Sequence, residues 1–153
     1  MNHADEALRL DRQLCFALYR ASRALIRSYT PFLEPLGLTY PQYLVLLVLW
    51  EEDGLSVKHL GKRLSLDSAT LTPLLKRLEM QKIVERRRDT EDERVVRIHL
   101  TPEGDGMRTQ ARQVPIALTC HAGFNLADPE ALLKIERMRG ELNELSSLLE
   151  HAG

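Results

Sequence analysis

Apolar residues recur at helical spacing from about residue 8 to residue 30, where Pro31 follows. The stretch LDRQLCFALYR sets Leu10, Leu14, Ala17 and Leu18 on one side and Arg9, Asp11, Arg12 and Arg20 elsewhere, with Cys15 in the middle. This is the pattern of an amphipathic helix. PFLEPLG, residues 31–37, is rich in breakers and reads as a connection. Thr39 then has the character of an N-cap and Pro41 that of a first-turn residue. The helix they open runs through YLVLLVLWEE and stops before Asp53-Gly54; being apolar almost all round, it is expected to be buried on every side.

Two shorter helical stripes follow. Val57, Leu60 and Leu64 define one over about 57–64. Leu71, Leu74, Leu75 and Leu78 define another, opened by Asp67 or Ser68 and reaching about Gln81. Joined by the turn Ser65-Leu66-Asp67, they predict a helix-turn-helix. Pro73 lies inside the second helix, lacks a backbone donor and predicts a local distortion. From Ile83 the period changes. Val96, Ile98 and Leu100 alternate with Val95, Arg97 and His99, and Asp89–Glu93 form a charged turn, so a two-stranded hairpin is predicted directly after the helix pair, in the position of a wing. Thr101-Pro102-Glu103 starts another helix, continued past a kink or break at Pro115 towards Cys120. Asp128-Pro129-Glu130 starts the last, to about Leu149. Its stripe of Leu132, Ile135, Met138, Leu142, Leu145 and Leu149 calls for a packing neighbour. The fold class is therefore mostly α with a small β-hairpin wing: a winged helix-turn-helix flanked by N- and C-terminal helices.

A chain of 153 residues fits one domain with a real core. The longest apolar run, residues 43–50, falls far short of the ~20 residues that span a bilayer. No basic, apolar, small-residue leader is present and only two cysteines occur, which together predict a cytoplasmic protein with reduced thiols and no membrane partner. The net charge of −1 is uninformative, but its distribution is not. Residues 56–100 carry 11 Lys and Arg against 7 Asp and Glu, a net of +4, leaving −5 on the flanks. A basic centre coinciding with a helix-turn-helix and a wing points to double-stranded DNA as partner.

If the second helix of the pair enters a major groove, Asp67, Ser68, Ala69, Thr70 and Thr72 near its start, with Lys76 and Arg77 further along, are the candidate contacts. In the wing the candidates are Arg86, Arg87, Arg88 and Arg94, and an Arg at a hairpin tip suits the negative potential of a narrow minor groove. Asp92 is placed to hold the Arg94 guanidinium. A winged helix serving as a protein-interaction module is the competing reading of these residues. His3, His59, His99, His121 and His151 are scattered, neither cysteine sits in a C-x-x-C, and no phosphate-binding glycine loop occurs. No metal, cofactor or enzymatic site is expected.

The order helix, helix, helix-turn-helix, wing, helix, long terminal helix resembles the MarR family of dimeric bacterial regulators. The segment DSATLTPLLKRLEMQKIVERRRDTEDERVVRIHLTPEG is similar to that family's recognition helix and wing, with Asp92-Glu93-Arg94 as its D-x-R element. The resemblance implies one domain over 1–153, with dimerisation helices at 8–36 and 102–150, a buried linking helix at 38–53 and a DNA-binding region at 56–101. It also implies a homodimer on a near-palindromic operator. Residues 10–51 resemble, more narrowly, the organic-hydroperoxide-sensing OhrR branch. There Cys15 matches the sensing cysteine, Tyr29 and Tyr40 the tyrosines that hydrogen-bond its sulfur, Tyr19 a further pocket residue, and Cys120 a resolving cysteine that bridges to Cys15 of the other subunit.

The chemistry is consistent with that implication. Only a thiolate attacks a peroxide, and phenol hydroxyls donating to a sulfur favour its anion. A sulfenic acid then condenses with a second thiol. Apolar neighbours Leu14, Phe16 and Leu18 favour an organic hydroperoxide over hydrogen peroxide. Cys15 as a structural thiol, a regulator answering a small aromatic or anionic ligand non-covalently, and a thiol peroxidase remain as alternatives.

Overall fold

A computed structural model of the chain describes residues 3–151. They form two compact units divided between Val114 and Pro115. The first contains α1 (His3–Glu6), a 3-10 turn at Leu10–Arg12, α2 (Leu14–Leu33), a 3-10 turn at Glu34–Leu36, α3 (Tyr40–Glu51), β1 (Leu55–Ser56), α4 (Val57–Leu64), α5 (Ser68–Met80), β2 (Val84–Arg88), β3 (Val96–Leu100) and α6 (Pro102–Ala111). Beyond it come α7 (Val114–His121), which begins at the division, and α8 (Pro129–His151). Among the described residues no single helix is long and apolar enough to cross a membrane.

The helix-forming signals act where the sequence places them. Thr39 caps α3 in a capping box with Gln42, and Pro41 lies in its first turn. Asp67 caps α5 by accepting from Thr70 N–H at 2.7 Å. Thr101 caps α6 by accepting from Gly104 N–H at 3.1 Å. α5 is continuous through Pro73.

Three boundaries differ from expectation. The first long helix begins at Leu14, because Gln13 is extended and closes a 3-10 turn onto Leu10 O. It runs through Pro31 to Leu33, and the N–H that Pro31 lacks removes one helical hydrogen bond near its end. Gly37, in the left-handed region at φ 67°, then turns the chain towards α3. The break near Pro115 comes earlier, at Arg112–Gln113, and Pro115 sits instead in the first turn of α7, where a missing N–H costs little.

The wing is one strand larger than the predicted hairpin. β2 and β3 pair antiparallel from Val84↔Leu100 to Arg88↔Val96, and β1 adds to the other edge of β3 through Leu55↔Ile98 and Ser56↔Arg97. The strand order is β1-β3-β2. Two residues show no alternation, so β1 left no trace in the sequence pattern.

The core of this unit is centred on α3, whose Tyr43, Val45, Leu46 and Leu49 are at most 1% exposed. Leu60 of α4, Leu71, Leu75 and Leu78 of α5, and Val84 and Ile98 of the sheet close around it. Fully burying each such aliphatic side chain stabilises by roughly 1.5–3 kcal/mol. The helix pair and the wing are thereby set on one rigid base. α8 contrasts with this: none of its residues is buried, and Leu132, Met138, Leu142 and Leu149 are at least 40% exposed.

Candidate functional site

The capping of α5 fixes which side chains its first turns present. Ser68, Ala69, Thr70 and Thr72 are exposed, as are Lys76 and Arg77 two turns on, while the leucine stripe faces the core. Asp67 is exposed too, but its carboxylate is committed to the helix end. Hydrogen bonds from Thr70, the backbone one first, hold it below the usual carboxylate range. The exposed face of α5 therefore carries hydroxyls and cations, beside Ala69, Pro73, Glu79 and Met80.

In the wing, Arg86 pairs with Glu79 of α5 at 3.2 Å, and Arg87 pairs with Glu85 along its own strand. Arg88 is exposed. The Arg94 side chain is 91% exposed, yet it is oriented. Asp92 accepts from its Nε at 3.1 Å, its Nη2 at 3.3 Å and its backbone N–H at 3.1 Å. A cation held in that way at a hairpin tip has lost much of the rotamer freedom that binding an anion would otherwise remove.

Two residues that anchor the tip escape sequence reasoning. Asp89 accepts from the Arg97 guanidinium and from the backbone N–H groups of Glu91 and Asp92, at 2.8 and 3.1 Å. The Arg97 bond comes first among the causes that hold its carboxyl down at about 2. Arg97 Nη1 also donates to Gly54 O at 3.0 Å, tying the tip to the turn before β1. Asp as first residue of a turn was a usable signal. Its pairing with Arg97, eight residues on, was not.

The thiol region lies on α2. Cys15 is its second residue, free and exposed. Tyr19, one turn on, is exposed; its hydroxyl accepts from Arg23 Nη1 at 3.0 Å and its ring lies under that guanidinium at 5.3 Å. Tyr29, further along α2, stacks on Tyr40 at the start of α3 with centroids 4.6 Å apart, and lies 5.9 Å from buried Tyr43. Burial, then the proximity of Tyr40 and Tyr43, pushes the Tyr29 phenol up to about 12; burial raises Tyr40 as well. Both hydroxyls thus keep their protons at neutral pH and can donate. A concavity of about 390 Å³ opens against Tyr40, lined among others by Ile26, Thr30, Leu33 and Leu38.

The structure does not bring the sulfur and these phenols together within one chain. Cys15 and Tyr29 are 14 residues apart on one continuous helix, a rise of about 21 Å. Cys120, near the end of α7, is free and exposed. Among the described residues no three His, Cys, Asp or Glu side chains are grouped to hold a metal.

A family model described as transcriptional regulator SarA/Rot matches residues 27–109, from the end of α2 through the wing into α6. This chain belongs to the SarA/Rot and MarR type of winged-helix transcriptional regulators. Among individual members, it is 52% identical to the HTH-type transcriptional regulator TtmR of Methylorubrum extorquens over 91% of this chain and 72% of that one. It is 48% identical to the organic hydroperoxide resistance transcriptional regulator of Bacillus subtilis over 87% and 92%. In three dimensions it is similar to AbfR of Staphylococcus epidermidis, solved reduced and bound to DNA, with 36% identity, a TM-score of 0.79, and 95% and 96% of the two chains covered. AbfR has also been solved in a disulfide-formed state, at a TM-score of 0.67 with 36% identity over 96% and 97% of the chains.

Proposed function

We propose that this regulator is a homodimeric repressor that binds a near-palindromic operator through α5 and the wing, and releases it when an organic hydroperoxide oxidises Cys15. The observation that carries the reading is the 48% identity, over nearly the whole of both chains, to an organic hydroperoxide resistance regulator. A redox-active, DNA-binding structural relative adds support. In this reading Ser68, Thr70, Thr72, Lys76 and Arg77 face the major groove, with Asp67 fixing the helix end. Arg86 and Arg88 neutralise phosphates, and Arg94, aimed by Asp92, enters the minor groove. Residues 56–101 form the DNA-binding region. Helices within 8–36 and 102–150 form the dimer, covering the apolar stripe that α8 leaves open.

The geometry of α2 adds a condition. Because Tyr29 and Tyr40 cannot reach Cys15 of their own chain, the sensing pocket must be completed by the second subunit: the sulfur of one protomer meets the phenols of its partner. The Cys15 thiolate attacks the distal peroxide oxygen, the O–O bond breaks, and the departing alkoxide takes a proton to leave as an alcohol. The thiol becomes a sulfenic acid. The Cys120 thiolate of the partner then attacks that sulfur, and water leaves as the disulfide forms. The phenols, protonated at neutral pH, hydrogen-bond the thiolate, and Tyr19 lines the approach.

A second reading is favoured by one observation. The concavity beside Tyr40 has the volume of a small-ligand pocket, and a non-covalent aromatic or anionic effector would fit it. A single experiment separates the two: if Cys15 is the sensor, cumene hydroperoxide releases the wild type from DNA and not Cys15→Ser, whereas a non-covalent effector acts on both proteins alike or, if it is not the peroxide, leaves both bound.

A further inference from the structure

The backbone on either side of Tyr40 and the C-terminal end of α5 are joined by a run of side-chain amides. Gln42, in the first turn of α3, is the one buried polar side chain among the described residues, at 4% exposure. Its Oε1 accepts from Thr39 N–H at 2.9 Å, and its Nε2 donates to Gln81 Oε1 at 3.4 Å. Gln81 is the C-cap of α5. Its own Nε2 donates to Gly37 O at 3.0 Å. Gly37 is the left-handed residue that turns the chain between α2 and α3. The Gln81 amide therefore ties α5 to both sides of the α2–α3 turn. Tyr40 lies between the two tie points in sequence and stacks on Tyr29 across the turn.

Apolar contacts also join α3 to α5, but they are non-directional and allow helices to slide over short distances. Hydrogen bonds lose most of their strength when stretched or bent by comparable amounts. The Gln42 amide is buried and has no water to replace Gln81 as its partner, so it is the directional link between α3 and the exposed cap of α5. A change in tilt between α2 and α3 is thus passed to the end of α5.

We infer that Gln42 and Gln81 are positioning residues that couple the Tyr29–Tyr40 pair to the orientation of the recognition helix. The inference rests on the hydroperoxide-sensing reading above. When the partner's Cys15 sulfur is oxidised and no longer accepts from the phenols, the pair relaxes. The α2–α3 turn shifts with it, and the amide run carries the shift to α5.

The test uses full-length reduced protein and a duplex enriched from a random-sequence pool by the reduced wild type. Gln81→Met keeps the length of an exposed side chain and removes both of its hydrogen bonds; Gln81→Ala repeats the test if the Met variant melts early. Cumene hydroperoxide is added at one equivalent, Cys15 oxidation is followed by intact mass, and duplex affinity is measured before and after. The wild type is expected to lose about 100-fold in affinity, and the variant, oxidised to the same extent, less than about tenfold, with reduced-state affinity within about threefold of wild type. A variant that releases DNA as far as the wild type, or that is weakened by the same factor in both redox states, overturns the coupling. A wild type oxidised at Cys15 that keeps its DNA overturns the sensing reading itself.

Discussion

At the scale of single residues, the exposed wing arginine and the carboxylate that anchors its turn make separable predictions. Arg94 is held by Asp92 and otherwise open to solvent. Arg94→Ala is expected to weaken operator binding by about 1–3 kcal/mol and to reduce the salt dependence by roughly one phosphate contact, measured by anisotropy titrations at several salt concentrations. An unchanged salt slope would remove Arg94 from the interface. Asp89 has a folded-state value of about 2 against an ordinary 3.8, with the Arg97 bond as the main cause. A depressed carboxylate contributes stability that is complete above its unfolded value and is lost as pH falls through the folded one. Asp89→Asn should therefore melt below wild type at neutral pH, and the difference should close between about pH 4 and pH 2. A pH-independent difference would mean that the carboxylate's charge is not what holds the turn. Asp92 and Arg94 were readable because they are two residues apart. Asp89 and Arg97 were not, because their meeting depends on the register of β2 on β3.

At the scale of elements, what was legible was what local chemistry decides. Thr39 and Thr101 each cap the helix expected of them, and of Asp67 and Ser68 it is Asp67 that caps α5, because a cap involves groups within three residues. Helix interiors followed from the leucine spacing of α4 and α5. What failed was decided at a distance or too briefly to see: β1 has two residues, and Pro31 and Pro115 were read as breakers without knowing which turn of a helix they occupy. Packing between elements was likewise hidden. Gly104, in the first turn of α6, lies so close to the strand entry that an added Cβ would come within 2.1 Å of Ile83 O. The Trp50 indole N–H donates to its carbonyl at 3.0 Å. Gly104→Ala should cost about 1–3 kcal/mol of stability, measured by chemical denaturation, as α6 is forced off the wing. A variant as stable as wild type would show that the helix can move away freely.

At the scale of the whole molecule, the charge segregation between a basic centre and acidic flanks is legible in the order of residues alone, and so is the class of regulator. That the proposed sensing pocket would need two subunits is not. That requirement of the proposal comes from the length of α2, which sets Cys15 and Tyr29 about 21 Å apart along one helix. With the sulfur of one protomer facing the phenols of the other, Tyr29→Phe combined with Tyr40→Phe should slow Cys15 oxidation by about one to two orders of magnitude, timed by mass spectrometry at substoichiometric peroxide. Unchanged kinetics would take the tyrosines out of the pocket. The proposal stands or falls on whether oxidation at Cys15 releases DNA. The most direct measurement is anisotropy of a labelled operator duplex with reduced protein, after one equivalent of cumene hydroperoxide, and after dithiothreitol, run in parallel for wild type and Cys15→Ser. Release by the wild type, recovery on reduction and no response from Cys15→Ser are expected. Release by Cys15→Ser, or a wild type that is oxidised at Cys15 and stays bound, would contradict it.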